Sequence, residues 1–208
     1  MDSCLTRLTT GLAELSLALS EPQIASLLAF IKLIEKWNKA YNLTAVREPL
    51  EMVDLHLLDS LAILPHLPTG RIADIGTGAG IPGIPLAICR PDYQFTLVDS
   101  NSKKTRFVQQ AVLELKLTNV EVVHARVEQL MPATPFDAVL TRAFASLPDI
   151  LRLTAHLLAE DGVLLAMKGQ VPSDELAGIA GACQVIPLHV PGIVAERCLI
   201  RLERQKHG

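Results

Sequence analysis

No segment of this 208-residue chain runs for 18 apolar residues without interruption, so none reads as a membrane span. The opening stretch MDSCLTRLTTGLAELSLALS lacks a basic start followed by an apolar run, and so does not read as a signal peptide. Charge is sparse, with a fifth of the residues charged and a formal net charge of −3. That balance neither demands nor excludes nucleic acid, because binding needs a local basic patch rather than a basic total. The four cysteines, Cys4, Cys89, Cys183 and Cys198, are far apart, form no CxxC pair and sit in apolar settings. They are expected as buried, reduced thiols of a cytoplasmic protein, not as disulfides or metal ligands. Internal repeats and low-complexity linkers are also missing. Half the residues are hydrophobic, enough for a sizeable core and against disorder.

The first third of the chain has helical periodicity only. SEPQ sets Ser20 as an N-cap, Pro22 in the first turn and Gln23 as the capping-box partner. Ile24, Leu27, Leu28, Ile31, Ile34, Trp37 and Tyr41 then recur on one helical face, which makes Trp37 and Tyr41 core residues. Leu5 to Leu19 reads as a weaker helix, and LEMVDLHLLDSLAILPHL as a further one ending near Pro65. From TGRIADIGTG onward, short apolar runs alternate with helical segments. Strands are expected at Ile72–Ile75, Phe95–Val98, Val120–Val123, Ala138–Thr141 and Val163–Lys168, which implies a mostly parallel sheet covered on both faces. CQVIPLHV and ERCLIRLER are joined too tightly for a crossover helix and should pair antiparallel. Residues 1–66 are thus expected to be a helical extension, and residues 67–208 a Rossmann-like α/β domain ending in an antiparallel hairpin.

Asp74, Gly76, Gly78 and Gly80 spell DxGxGxG between a strand and a helix, where backbone can approach a ligand closely. The spacing departs from the GxGxxG of dinucleotide sites, and Pro82 and Pro85 remove backbone N–H groups that a phosphate would need. Asp99, followed by Ser100, ends the next strand, where an acid takes both hydroxyls of a ribose. Two acids around a close-approach loop, without a phosphate-binding lysine, describe a cationic nucleoside, and S-adenosylmethionine is such a ligand. The competing account makes Asp74 a cap of its turn and Asp99 a cap of the helix beginning near Asn101.

KWNKAYNLTAV, HLLDSLAILPHL, IADIGTGAGIPGIPLAICRP, LVDSNSKKTRFV, ARVEQL, TRAFASL and AMKGQ occur in this order over most of the chain. In this the sequence resembles the bacterial small-subunit ribosomal RNA methyltransferase G family, also called glucose-inhibited division protein B. The resemblance implies an S-adenosylmethionine-dependent methyltransferase fold. It also implies methyl transfer to N7 of one guanine in 16S ribosomal RNA, free or within the small subunit or an assembly intermediate. By the same resemblance Gly76, Ile81, Val127 and Glu128 contact the cofactor, and Arg142 lies at the cofactor or substrate mouth. In the loosely similar tail, only Arg197 carries over.

Guanine N7 has an exposed lone pair and loses no proton before attack, so positioning suffices and no general base is expected. No NPPY-type loop and no Pro-Cys nucleophile motif is present. His56, His124 and His156 read as surface or packing residues, His56 sharing a helical face with Asp59 and Ser60. Arg126, Arg142 and Lys168 fall at strand C-termini, where ligands bind in an open α/β sheet, and are the expected RNA contacts. Their competing role is structural pairing with Glu128 or Asp99. Lys103, Lys104 and Arg106 oppose a helix dipole and serve either phosphates or solvent. The expected protein is a monomeric cytoplasmic enzyme without metal or membrane. A non-catalytic, cofactor-sensing RNA-binding protein is one alternative, and a nicotinamide-dependent oxidoreductase another.

Overall fold

The computed structural model describes residues 2–179 and 182–204. Seven strands form one sheet in the order β3-β2-β1-β4-β5-β7-β6. They are β1 (Arg71–Ile75), β2 (Gln94–Asp99), β3 (Val120–His124), β4 (Phe136–Arg142), β5 (Leu158–Lys168), β6 (Cys183–Pro187) and β7 (Cys198–Glu203). The first five pair in parallel. β7 inserts antiparallel between β5 and β6, so the terminal hairpin expected from the sequence closes one edge of the sheet. The nicotinamide alternative would want a parallel 3-2-1-4-5-6 sheet; the reversed β7 in this position departs from it.

Strand side chains alternate between two cores, as the period of two requires. Ile72, Phe95, Leu97, Ala138, Leu140, Val163 and Leu165 face one hydrophobic cluster. Ala73, Ile75, Val98, Val139, Leu164 and Ala166 face the other. The first cluster also takes in Leu8 of α1 (Asp2–Glu14), Phe30 and Ile34 of α2 (Glu21–Tyr41), Ile84 of α5 (Gly83–Cys89) and Phe107 of α6 (Ser102–Glu114). The second is covered by α7 (Leu147–Thr154), through Leu147 and Ile150.

Ser20 caps α2 as expected: its backbone N–H donates to Gln23 Oε1 at 3.0 Å. The amide of Gln23 in turn donates to the carbonyls of Ile88 and Cys89, stitching the start of α2 to the end of α5. Trp37 packs on Phe107 with ring centroids 5.8 Å apart, whereas Tyr41, expected in the core, is exposed at the helix end. Cys4, Cys89 and Cys198 are buried, but Cys183 is exposed, because it lies on the sheet-edge strand β6.

The third predicted helix is not a continuous α-helix. It comprises α3 (Pro49–Met52), a π-helical turn over Val53–Leu58 and α4 (Asp59–Leu61). In the π-turn the N–H of Asp59 reaches back to the carbonyl of Asp54 rather than to that of Leu55. No described helix is long and apolar enough to cross a membrane.

Candidate functional site

The turn after β1 is built by glycines that no other residue could replace without strain. Gly76, Gly78 and Gly80 have φ of 73°, 59° and 78°, in the left-handed region that favours glycine. Each has a distinct surrounding. A Cβ on Gly76 would lie 2.6 Å from the Phe144 ring, and one on Gly80 would lie 2.7 Å from Ile84 Cδ1. Above Gly78 there is room: the nearest atoms to its Cβ position are Gly76 O at 3.9 Å and Lys104 Nζ at 4.0 Å. Gly80 and Ile81 are buried and turn into the core.

The two acids of the loop do different work. Asp74 is completely buried. Its Oδ2 accepts from Thr77 Oγ1 at 2.7 Å and from Gly83 N at 3.0 Å, and its Oδ1 has no partner. Burial pushes its carboxyl up to about 6, against the pull of those two hydrogen bonds. Asp74 therefore holds the loop from behind. Asp99 stands at the front, where Oδ2 accepts from Gly78 N at 2.9 Å and Oδ1 from Asn101 N at 2.8 Å. Each oxygen keeps acceptor capacity beyond that single N–H. The cap of α6 is Asn101 itself, whose side chain accepts from the N–H groups of Lys103 and Lys104.

In front of Asp99 a cavity of about 340 Å³ opens at the C-terminal ends of β1, β2 and β4. Ile75, Val98, Val127 and Phe144 give it apolar walls, and Gly76, Asp99, Ser100 and Lys104 give it polar ones. Arg126 and Glu128, both exposed, stand at its rim. An apolar slot for a flat ring, with an acid poised for hydroxyls and an uncluttered glycine backbone, fits a nucleoside.

A second cavity, of about 280 Å³, is lined by Asp59, Arg142, Met167, Lys168, Arg197 and Cys198. Ala143 lines both cavities, with a left-handed φ of 49°. The predicted residues thus fall into two groups. Gly76, Asp99, Ser100, Arg126, Val127 and Glu128 surround the first cavity, and Arg142, Lys168 and Arg197 the second. Asp74, Gly80 and Ile81 reach neither, and Gly78 borders open space beside Lys104.

The competing pairing of Arg142 with Glu128 or Asp99 is not what the structure has: Arg142 Nη2 pairs with Asp59 Oδ2 at 3.2 Å, and Arg197 Nε shares the same carboxylate through Oδ1 at 3.1 Å. Burial pushes the Asp59 carboxyl up, and the two guanidiniums, Arg142 ahead of Arg197, pull it back. Lys168 Nζ donates to the Ala145 carbonyl at 3.1 Å and to Glu175 at 3.4 Å.

The histidines take packing roles. His56 is buried with Nε2 at 3.1 Å from Thr44 Oγ1, and desolvation, with Arg142 nearby, lowers it to about 4. His124 and His156 meet the carbonyls of Ser100 and Leu130. The NLT stretch is tied down by Asn38, whose amide donates to the carbonyls of Thr44 and Val46 and whose Oδ1 accepts from Thr44 N.

Sequence reasoning missed Phe144, Ala143 and Asp59 as site residues and left the role of Lys104 open between phosphates and solvent. Lys104 had a signal, since three residues beyond an Asn N-cap lies the end of the helix facing the loop. Ala143 had none, because a left-handed φ of 49° at an alanine carries no sequence signature.

Comparison with known proteins agrees with this geometry. A family model described as rRNA small subunit methyltransferase G matches residues 23–200. The ribosomal RNA small subunit methyltransferase G of Methylobacillus flagellatus is 51% identical over 197 residues, covering 94% of this chain and 96% of the relative. That of Escherichia coli is 45% identical over 205 residues, covering 97% and 99%. Among solved structures, a SAM-dependent methyltransferase from Aquifex aeolicus superposes with a TM-score of 0.56 at 17% identity, covering 86% of this chain and 98% of that one. The N-methyltransferase NodS of Bradyrhizobium japonicum, in complex with S-adenosyl-L-homocysteine, gives 0.53 at 14% identity, covering 83% and 100%. The chain belongs to the rRNA small subunit methyltransferase G family.

Proposed function

We propose that this protein transfers a methyl group from S-adenosylmethionine to N7 of a guanine in 16S ribosomal RNA. It would act as a cytoplasmic monomer on the small subunit or an assembly intermediate. The observation that carries the reading is the pair of adjoining cavities that share Ala143, one suited to a nucleoside and the other lined by three cations.

Bound S-adenosylmethionine supplies an electrophilic methyl group. The residues suited to hold it are Asp99 for the ribose hydroxyls, Val127 and Glu128 beside the adenine, and Gly76 and Gly78 for close backbone approach. Asp74 supports that loop through Thr77 and Gly83. Arg142, Lys168 and Arg197 are suited to the phosphates and base edge of an RNA segment, with Arg126 at the rim. The guanine has to leave its stack to reach the second cavity, and cations that grip its backbone hold it there. Because N7 brings its own lone pair, the residues need only orient it toward the first cavity. His56 is buried, engaged with Thr44 and lines neither cavity, so it is not placed to serve as a general base.

The test is binding and transfer measured together. Titration calorimetry with S-adenosylmethionine and with NADH, followed by labelled methyl transfer to small-subunit RNA, is expected to give binding of the first ligand only, with transfer. Tight binding without transfer to any RNA would favour a cofactor-sensing, non-catalytic protein.

A further inference from the structure

Asp59 is almost fully buried, yet it lies between two partly exposed cations. The side chains of Arg142 and Arg197 are 26% and 21% exposed, and that of Asp59 is 2% exposed. A buried carboxylate shared by two arginines is a poor stabiliser, since desolvation offsets most of the attraction, so its presence calls for another account. The π-helical turn supplies a second, independent observation. Because the N–H of Asp59 bonds to Asp54 O, the carbonyl of Leu55 is released from its α-helical partner. That carbonyl accepts from Arg142 Nη2 at 3.0 Å. One irregular turn therefore presents two acceptors to Arg142, and one of them also to Arg197. Behind the turn, Ser60 Oγ donates to the His56 carbonyl at 2.6 Å, and His56 is braced by Thr44. The N-terminal helical region thus reaches the cationic cavity through Asp59.

We propose that Asp59, set by the π-turn over Val53–Leu58, is the positioning residue that holds Arg142 and Arg197 as one rigid pair for the guanine nucleotide. The inference rests on the functional reading above. A flexible arginine would still attract RNA; an arginine fixed by Asp59 also fixes where the base lies relative to the methyl donor. Methylated N7 leaves the guanine cationic, so two uncompensated arginines beside it would oppose the reaction. The carboxylate of Asp59 offsets this and leaves RNA attraction to the remaining positive charge.

The experiment is steady-state methyl transfer to small-subunit RNA by the wild-type chain and Asp59→Asn, alongside S-adenosylmethionine binding and thermal unfolding. The expected result for D59N is a fall in kcat of tenfold or more, a KM for RNA within about twofold of wild type, and unchanged cofactor affinity. Asp59→Glu, which keeps the charge, is expected to recover part of the rate. Wild-type kcat in folded D59N would overturn the proposal, and so would a loss confined to stability. If D59N does not fold, the set Arg142→Lys, Arg197→Lys and their double variant decides. Arginines held as one unit give a double variant little worse than the worse single one, whereas independent, multiplying losses contradict the shared anchor. A wild-type chain that methylates no RNA would instead sink the functional reading itself.

Discussion

Asp99→Asn separates the two tasks assigned to one carboxylate. In the structure each oxygen of Asp99 accepts one backbone N–H, from Gly78 at 2.9 Å and from Asn101 at 2.8 Å. The remaining capacity, one further acceptor site per oxygen, is what two ribose hydroxyls would use. An amide keeps one oxygen and turns the other into a donor, which then faces either Gly78 N–H or Asn101 N–H. A hydrogen bond to a charged group contributes about 1.5–3 kcal/mol, and a neutral one about 1 kcal/mol. Losing the charge and one acceptor should therefore weaken cofactor binding by about 1.5–3 kcal/mol, or about 10- to 150-fold in Kd. Calorimetric titration of S-adenosylmethionine into wild type and D99N measures this directly, and thermal unfolding shows whether the loop has been lost. Equal affinity in a folded D99N would mean that Asp99 only staples the glycine loop to α6.

Further outcomes follow from other particulars of the site. Gly78→Val combines a β-branched side chain with a φ of 59° and fills the open space in front of the loop; cofactor binding is expected to fall below detection while the fold survives. His56 is held neutral in the folded chain, with its value lowered from 6.5 to about 4, so the unfolded chain takes up a proton first as pH falls. Stability should fall between about pH 6.5 and pH 4, by about 3 kcal/mol at most, and His56→Gln should flatten that part of a urea-midpoint profile against pH. An unchanged profile would place the acid sensitivity elsewhere. Arg126→Ala, at the cavity rim, is expected to lower the salt dependence of RNA binding by about one unit of slope if it meets one phosphate; equal slopes would remove it from the RNA face.

The central strands were legible because burial on both faces leaves short, largely apolar runs such as Val163–Ala166, which alternate along the chain with helical segments. The glycine loop and Asp99 were legible for a related reason: a strand end, a left-handed turn and an acid on the next strand recur at fixed spacing. The direction in which Asp74 points was not legible, since DxGxGxG is compatible with a carboxylate facing a ligand or facing Thr77 and Gly83. The π-turn was hidden because the apolar pattern of residues 50–67 is satisfied by an α-helix as well. The released Leu55 carbonyl is taken up by Arg142, a contact across 87 residues that only the fold brings about. Asp59 and Arg197 lie 138 residues apart, and only the folded sheet brings them together. The exposure of Cys183 was missed for want of strand order, since an apolar-looking strand is exposed when it ends up at the edge.

The central claim is tested most directly by locating the methyl group. Small-subunit RNA from a strain lacking the protein, supplied as naked 16S RNA and as assembled subunits, would be incubated with the purified chain and methyl-tritiated S-adenosylmethionine. Reduction and aniline cleavage would follow, chemistry that breaks RNA at N7-methylguanosine. The account predicts stoichiometric label at a single guanine and strand scission at that position in at least one of the two substrates. Label without scission, on an exocyclic amine, a ribose or a pyrimidine, would contradict it.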